Sequence, residues 1–215
     1  LYPGGTFGIG NLESDEKLRR IFASPCFRKV IVTQKLTHEY LIKNKFCPKE
    51  KITFIFGSVL PVDKLQLKNS SKQHFGFGKQ SLDICFTAQK YTSTGEDKGY
   101  DVFIATAKKL SGKYKNLRFH VTGSFDESVI DTTGISDITF YGPRGQDWFD
   151  GFYQDKDIIL SPNINDKIFK GSFDGFPTGC AKDAALRQTA MFLTDPLRLN
   201  DNYFKDDEDV IIIKH

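Results

Sequence analysis

The chain has 215 residues, of which 39% are hydrophobic and 27% charged, a composition that suits a globular protein able to bury a full core. The net charge of +3 comes from mixed signs and argues against a dedicated nucleic-acid-binding protein. No apolar run approaches about twenty residues, so the sequence predicts no transmembrane segment. Four widely spaced cysteines without metal-ligand spacing indicate reduced thiols and a cytoplasmic location.

The first 80 residues contain fewer regular elements than the rest. Residues 29–34, 37–46 and 51–59 predict a strand, a helix and a strand, and residues 1–66 are interpreted as a partial N-terminal α/β domain. The polar stretch 67–80 is interpreted as a linker. The basic run 17–20 and the acidic run 205–209 are interpreted as solvated surfaces.

Residues 81–215 alternate buried apolar runs with helical patterns, which predicts a Rossmann-like α/β domain with a parallel sheet. Helices are expected over 100–112 and 146–154, and another should begin near Pro177, because proline suits a first helical turn. The predicted strands cover 82–88, 117–123, 138–142, 157–162, 190–194 and 209–214. Ligands should therefore bind in the loops after these strands.

Two lysines in the first of these loops are candidates for anion binding. Lys90 and Lys98 would place two ammonium groups beside a helix N-terminus, a combination that suits a diphosphate. The plainer interpretation is that both are exposed surface lysines. The later turn 140–145 has backbone groups that could pair with the edge of a base.

The segment 171–188 is a second candidate, because it places two carboxylates around a turn. Asp174 precedes the turn and Asp183 follows it, and carboxylates accept hydrogen bonds from sugar or ribose hydroxyls. The alternative makes Asp174 a helix cap and Asp183 a surface charge.

In their order and intervals, the segments "YTSTGEDKGYDVFIATAKKL", "LRFHVTG", "ITFYG", "DIILSP" and "FDGFPTGCAKDAAL" resemble the C-terminal, donor-binding domain of retaining GT-B glycosyltransferases of group 1. The resemblance implies that Lys90 and Lys98 hold the diphosphate of a nucleotide sugar and that Asp174, the candidate catalytic residue, contacts the donor sugar. It also implies that residues 1–66 are the remnant of an N-terminal domain on the acceptor side. It further implies that the turn of Gly175, Phe176, Pro177 and Thr178 binds sugar and phosphate oxygens. Asp183, in preference to Lys182, would hold the ribose.

The resemblance also implies the reaction and its partners. The expected donor is a nucleotide-diphosphate sugar, with a UDP-sugar favoured, and no metal or other cofactor is expected. The acceptor could be a carbohydrate, a lipid-linked molecule or a protein, and a peripheral position at the inner face of the membrane is left open. Both acids are Asp where the family usually has Glu. A catalytically inactive nucleotide-sugar-binding or interaction module of the same fold is therefore the alternative.

The chain begins at Leu1 and its single methionine is Met191. We therefore expect it to be a fragment that is inactive by itself, since a pair of complete Rossmann-like domains needs more than 215 residues.

Overall fold

Two structural units make up the part of the protein that its computed structural model describes, namely residues 1, 7–57 and 72–214. The first unit combines Leu1–Leu60 with Ile164–Thr178 and Asp195–Tyr203. The second unit combines Pro61–Asn163, Gly179–Thr194 and Phe204–His215. This grouping describes packing, and the domain boundaries drawn from the sequence stay predictions, with residues 67–71 of the predicted linker outside the described part.

The first unit contains the strand, helix and strand that the sequence predicts. Helix α1 (Leu12–Phe22) precedes strand β1 (Val30–Val32), helix α2 (Lys35–Lys43) and strand β2 (Ile52–Phe54). The two strands pair in parallel, with Val30 opposite Ile52. The sequence analysis missed α1, although its start carries a readable signal: the Asn11 side chain accepts a hydrogen bond of 2.9 Å from the Ser14 N–H.

The second unit is built on a parallel sheet of six strands. A short pair, β3 (His74–Phe75) and β4 (Gly78–Lys79), lies ahead of it within the predicted linker. The sheet strands are β5 (Leu82–Thr87), β6 (Leu117–Thr122), β7 (Ile138–Phe140), β8 (Ile158–Ser161), β9 (Ala190–Thr194) and β10 (Ile211–Ile213). Their spatial order is β10-β9-β8-β5-β6-β7. All six predicted strands are present, and the predicted Rossmann-like α/β class is confirmed.

The helices of the second unit differ from expectation in two places. Helix α3 (Tyr100–Ser111) agrees with its prediction, whereas 146–154 forms only the short helix α4 (Trp148–Phe152) followed by a 3₁₀ turn. Gly151 lowers helix propensity in that segment. Helix α5 (Gly179–Ala185) begins two residues after Pro177, in agreement with a start near Pro177, but Pro177 itself lies in the bend before the first helical turn.

A packed aromatic core fixes β5 against α3 and β6. The side chains of Phe86, Phe103 and Phe119 are at most 1% exposed, and the Phe86 and Phe103 ring centroids lie 5.2 Å apart. The apolar run in β5 and the alternating apolar residues in β6 are the sequence signals from which these two strands were predicted.

A polar network lies toward the amino-terminal ends of β5 and β6. Asp83 in β5 is fully buried and lies 2.8 Å from the Lys79 ammonium and 2.7 Å from His120 Nε2. Burial alone would raise the pKa of Asp83, but hydrogen bonds from His120, Arg118 and Lys79 hold that pKa well below its usual range.

Lys72 contacts segments of this unit that are distant from it in sequence. Lys72 donates hydrogen bonds to the carbonyl oxygens of Tyr153 and Arg187, at 3.0 and 2.8 Å, and to the Thr189 hydroxyl at 2.8 Å. Lys79 also lies 2.8 Å from an Asp157 carboxylate oxygen. These ammonium groups connect the segment before β5 to the ends of later elements.

The start of α3 approaches the chain after β8 so closely that only glycine fits. Gly99 has φ +69°, and a Cβ built there would lie 2.0 Å from the carbonyl oxygen of Pro162. Both the left-handed backbone and the backbone contact therefore exclude a side chain.

We expect Gly99→Ala to lower the free energy of unfolding by about 2–5 kcal/mol, because strain of the left-handed residue adds to overpacking. Gly142→Ala is the matched control, since Gly142 has φ +68° and a methyl group added there would meet no atom within 4 Å. The control should lose only about 1–2 kcal/mol. Urea unfolding of both variants measures the difference, and equal losses would contradict the close-contact argument.

Candidate donor-binding site

The sheet has a topological switch point between β5 and β8. If the six strands are numbered one to six along the chain, their spatial order across the sheet is 3-2-1-4-5-6. The connections that follow β5 and β8 therefore run toward opposite edges of the sheet. Ligands of such sheets bind at the carboxyl ends of the two strands at this point. The loop after Thr87 contains Lys90 and Lys98, both candidates from the sequence.

An internal carboxylate shapes the loop that follows β5. Asp97 is 3% exposed, and its Oδ1 accepts hydrogen bonds from the Thr92 hydroxyl at 2.7 Å and the Thr92 N–H at 3.3 Å. Residues 96–98 form a 3₁₀ turn that leads into Gly99 and α3. Hydrogen bonds between residues of this loop therefore stabilise its conformation.

Lys98 lies inside this loop rather than on the open surface. The residue is 8% exposed, its ammonium is 3.8 Å from Asp97 Oδ2, and it lies 4.9 Å from the centroid of the Tyr91 ring. A buried ammonium near one carboxylate and one aromatic face has its position restricted by packing. The interpretation of Lys98 as an exposed surface lysine is wrong.

Lys90 is half-buried in the same loop. Hydrogen bonds from Ser128 lower the pKa of Asp126, and the positive charge of Lys90 lowers it further. This places the Lys90 charge near the loop that follows β6, at the carboxyl-terminal edge of the sheet.

Asp183 is held by two side chains that the sequence analysis did not connect with it. Its Oδ2 accepts a hydrogen bond of 2.5 Å from Gln146 Nε2, and its Oδ1 lies 3.2 Å from Arg187 Nη1. Arg187 also donates to Asp150 at 3.0 Å. A carboxylate has about four acceptor positions, so Asp183 keeps capacity for further hydroxyl donors. At 8% exposed, it is not the surface charge of the alternative interpretation.

The turn around Asp174 belongs to the first unit. Phe173 and Phe176 are each 4% exposed, and the N–H of Ile9 donates to the Gly171 carbonyl at 2.9 Å. The Phe176–Pro177 peptide bond is cis, and Pro177 lies in the bend before α5. Asp174 and Gly175 are half-buried in this segment.

Gln34 supports this turn and was missed by the sequence analysis. The side chain is 1% exposed, and its Nε2 donates to the Phe176 carbonyl at 3.3 Å. The partners are separated by 142 residues, so no local pattern could have revealed the contact. Arg187, by contrast, follows Asp183 at the i,i+4 spacing that is readable on a helix.

The predicted site residues thus fall into two sets. Lys90, Lys98 and Asp183 lie in the second unit, whereas the segment from Asp174 to Thr178 lies in the first. Helix α5 has seven residues and begins after this segment, so an anion site formed by a helix that starts at Pro177 is not present as predicted.

Several solved structures with a similar fold are glycosyltransferases. A variant of S. aureus TarM, solved with fondaparinux, alpha-GlcNAc-glycerol and UDP, is 13% identical with a TM-score of 0.68, and the match covers 99% of this chain and 39% of TarM. WaaG, a glycosyltransferase involved in lipopolysaccharide biosynthesis, is 14% identical with a TM-score of 0.59 over 85% of this chain and 50% of WaaG. Anabaena HepE, solved with UDP and glucose, is 13% identical with a TM-score of 0.53 over 85% of this chain and 49% of HepE.

These comparisons confirm the likeness to GT-B glycosyltransferases at the level of the fold. The chain spans half or less of the length of these three structures. No protein-family model and no curated protein matches the chain. Among the described residues, no helix is both long enough and apolar enough to cross a membrane.

We expect Lys182→Met to stabilise the protein at about pH 7. Burial lowers the pKa of Lys182 to about 8, against the opposing influence of Asp183. The unfolded chain therefore binds the proton more tightly, and the cost of the buried charge disappears as the pH rises from about 8 to the usual lysine value of about 10.4. The variant should gain on the order of 1–3 kcal/mol at neutral pH, and the gain should shrink across that window.

Denaturant unfolding of the wild type and Lys182→Met at several pH values checks this expectation. Lys113→Met changes an exposed lysine and should leave the pH dependence unaltered. A stability difference that stays constant from neutral to alkaline pH would show that the charge of Lys182 is not the cause.

Proposed function

We propose that the chain binds a nucleotide-diphosphate sugar, with a UDP-sugar favoured, and that the whole protein transfers the sugar to an acceptor hydroxyl with retention of configuration. The observation that carries this proposal is the buried Lys98 beside Gly99 at the switch point of the sheet. The fold likeness to HepE, solved with UDP-glucose, supports the choice of donor.

In this proposal the lysines act on the leaving group. Breaking the bond between the sugar and the diphosphate leaves negative charge on the diphosphate, and Lys98 with Lys90 stabilises that charge without a metal ion. A well-placed donor of this kind is worth about 3 kcal/mol in the transition state. Because Asp97 and Tyr91 already restrict Lys98, little reorganisation accompanies binding.

The two aspartates have separate roles in the proposal. Asp183 accepts from the ribose hydroxyls, with its orientation set by Gln146 and Arg187. Asp174 accepts hydrogen bonds from hydroxyls of the donor sugar and is the proposed catalytic residue of the site. Backbone groups of Gly175, Phe176 and Thr178 bind sugar and phosphate oxygens, while Pro177 shapes the turn.

The acceptor is a carbohydrate, a lipid-linked molecule or a protein, and we infer a cytoplasmic location, with a peripheral position at the inner face of a membrane left open. We expect hexosyl transfer only from the whole protein and none from the 215-residue chain alone. The alternative function, an inactive nucleotide-sugar-binding or interaction module, rests on Asp174 and Asp183 standing where the family usually has glutamate, and no contact among the described residues adds to it.

Calorimetric titration with UDP, GDP and ADP in a chelator should show binding, tightest for UDP. We expect Lys98→Ala to weaken binding at least about tenfold, because it removes a buried cation from the diphosphate site. Lys113→Ala, which removes an exposed lysine of the same unit, should bind like the wild type. Equal affinity of Lys98→Ala and the wild type for every nucleotide would refute the diphosphate assignment.

The aspartates should separate when UDP is compared with UDP-glucose. Asp183→Asn should weaken both ligands, because both contain ribose, whereas Asp174→Asn should weaken only UDP-glucose. Gln34→Ala should follow Asp174→Asn, because it removes the donor to the Phe176 carbonyl. If Asp174→Asn changes no affinity and only lowers the melting temperature, Asp174 is a structural cap.

A further inference from the structure

The amino-terminal end of α2 contains buried oxygen atoms that lack hydrogen-bond partners. The residues Thr33, Gln34 and Thr37 are each at most 1% exposed. In the part of the chain that the structure describes, the two threonine hydroxyls and Gln34 Oε1 have no partner. A buried polar atom without a partner costs about 1–3 kcal/mol. Such atoms gathered within residues 33–37 indicate a place where another group binds.

Backbone donors at the same helix end are also unpaired. Helix α2 begins at Lys35, and the side chain of its N-cap residue, Gln34, makes no capping hydrogen bond. Among residues 7–57 and 72–214, no acceptor bonds to the N–H of Lys35 or of Leu36. The first N–H groups of a helix point along its axis at the positive end of the helix dipole, so this end attracts an anion.

Helix α1 of the same unit has a different beginning. Asn11 caps it, and its first turn contains Glu13 and Asp15, so its own side chains complement its N–H groups. The first turn of α2 contains no acidic residue. Its Lys35 ammonium lies 2.8 Å from Asp201, so that carboxylate is already paired with a cation. The first turn of α2 therefore does not supply the negative charge that it favours.

The orientation of the Gln34 amide selects the kind of anion. Its Nε2 donates to the Phe176 carbonyl at 3.3 Å, so the unpartnered atom is Oε1, which can only accept a hydrogen bond. The bound group must therefore donate one O–H to Gln34 while it accepts from N–H groups and threonine hydroxyls. A phosphate that keeps one proton does both, whereas sulfate at neutral pH has no proton to donate. A single water molecule, with about four hydrogen bonds, cannot serve both N–H groups, both hydroxyls and the amide oxygen.

We propose that the first turn of α2 binds a phosphate group that keeps one proton, either inorganic phosphate or a phosphate monoester. The N–H groups of Lys35 and Leu36 and the hydroxyls of Thr33 and Thr37 donate to its oxygens, and its own O–H donates to Gln34 Oε1. The site goes beyond the proposed function, because α2 belongs to the first unit and the proposed diphosphate lysines belong to the second.

A titration followed by ¹⁵N–¹H NMR tests the proposal on the 215-residue chain. Inorganic phosphate should shift the amide signals of Lys35 and Leu36 to saturation, and sulfate at the same ionic strength should not, because it leaves Gln34 Oε1 unpaired. Methyl phosphate at about pH 6, where a monoester is half protonated, separates the two sources. Saturation by methyl phosphate assigns the site to monoesters, and saturation by inorganic phosphate alone assigns it to the free ion.

A threonine variant separates a binding role from a structural one. Thr37→Val should weaken phosphate binding at least about tenfold. It should also raise the melting temperature of the phosphate-free chain, because it removes a buried hydroxyl that has no partner. Thr53→Val is the matched control in β2 of the same unit, since the Thr53 hydroxyl is not among the unpartnered buried atoms of the described chain. The control should bind phosphate like the wild type.

The proposal is overturned if phosphate leaves the Lys35 and Leu36 signals unchanged, or if sulfate saturates them equally. It is also overturned if Thr37→Val binds phosphate like the wild type. Displacement of the phosphate by UDP would assign these residues to the donor site and overturn a separate phosphate site. Loss or retention of UDP binding in Lys98→Ala concerns the proposed function alone, so the two proposals can fail separately.

Discussion

The close approach of Gly99 to the Pro162 carbonyl is the constraint on which the second unit depends. Strands β5 and β8 are parallel neighbours, but the connections that follow them run toward opposite edges of the sheet. The two backbone segments therefore start side by side at the carboxyl ends of these strands and then diverge. A methyl group at position 99 would lie 2.0 Å from the Pro162 oxygen. The start of α3, and with it Lys98, is positioned by this contact between two backbones.

The fold was predictable from sequence where one local pattern determines the structure. Strand β5 contains a run of buried apolar residues, β6 has apolar residues at alternate positions, and α3 has an apolar face at helical spacing. Pro177 shows the limit of this reasoning. A proline is as compatible with a bend as with a first helical turn, and the structure has the bend.

The candidate site was predictable in part for the same reason. Lys98 could be singled out because it adjoins a glycine at a strand-helix connection, but its burial beside Asp97 and Tyr91 could not be read from the sequence. The supports of the two aspartate segments come from far along the chain. Gln146 is 37 residues from Asp183 and Gln34 is 142 residues from Phe176, and such pairs meet only through tertiary packing.

The two lysines that precede β5 also determine where this polypeptide can be divided. A shortened protein that starts at residue 81 would lack Lys79, which lies 2.8 Å from both Asp83 and Asp157, and would leave those carboxylates in a buried place with one cation fewer. It would also lack Lys72, so that the carbonyls of Tyr153 and Arg187 would lose a donor. An expression boundary for the unit built on the six-stranded sheet therefore belongs upstream of Lys72, even though the regular sheet begins only at Leu82.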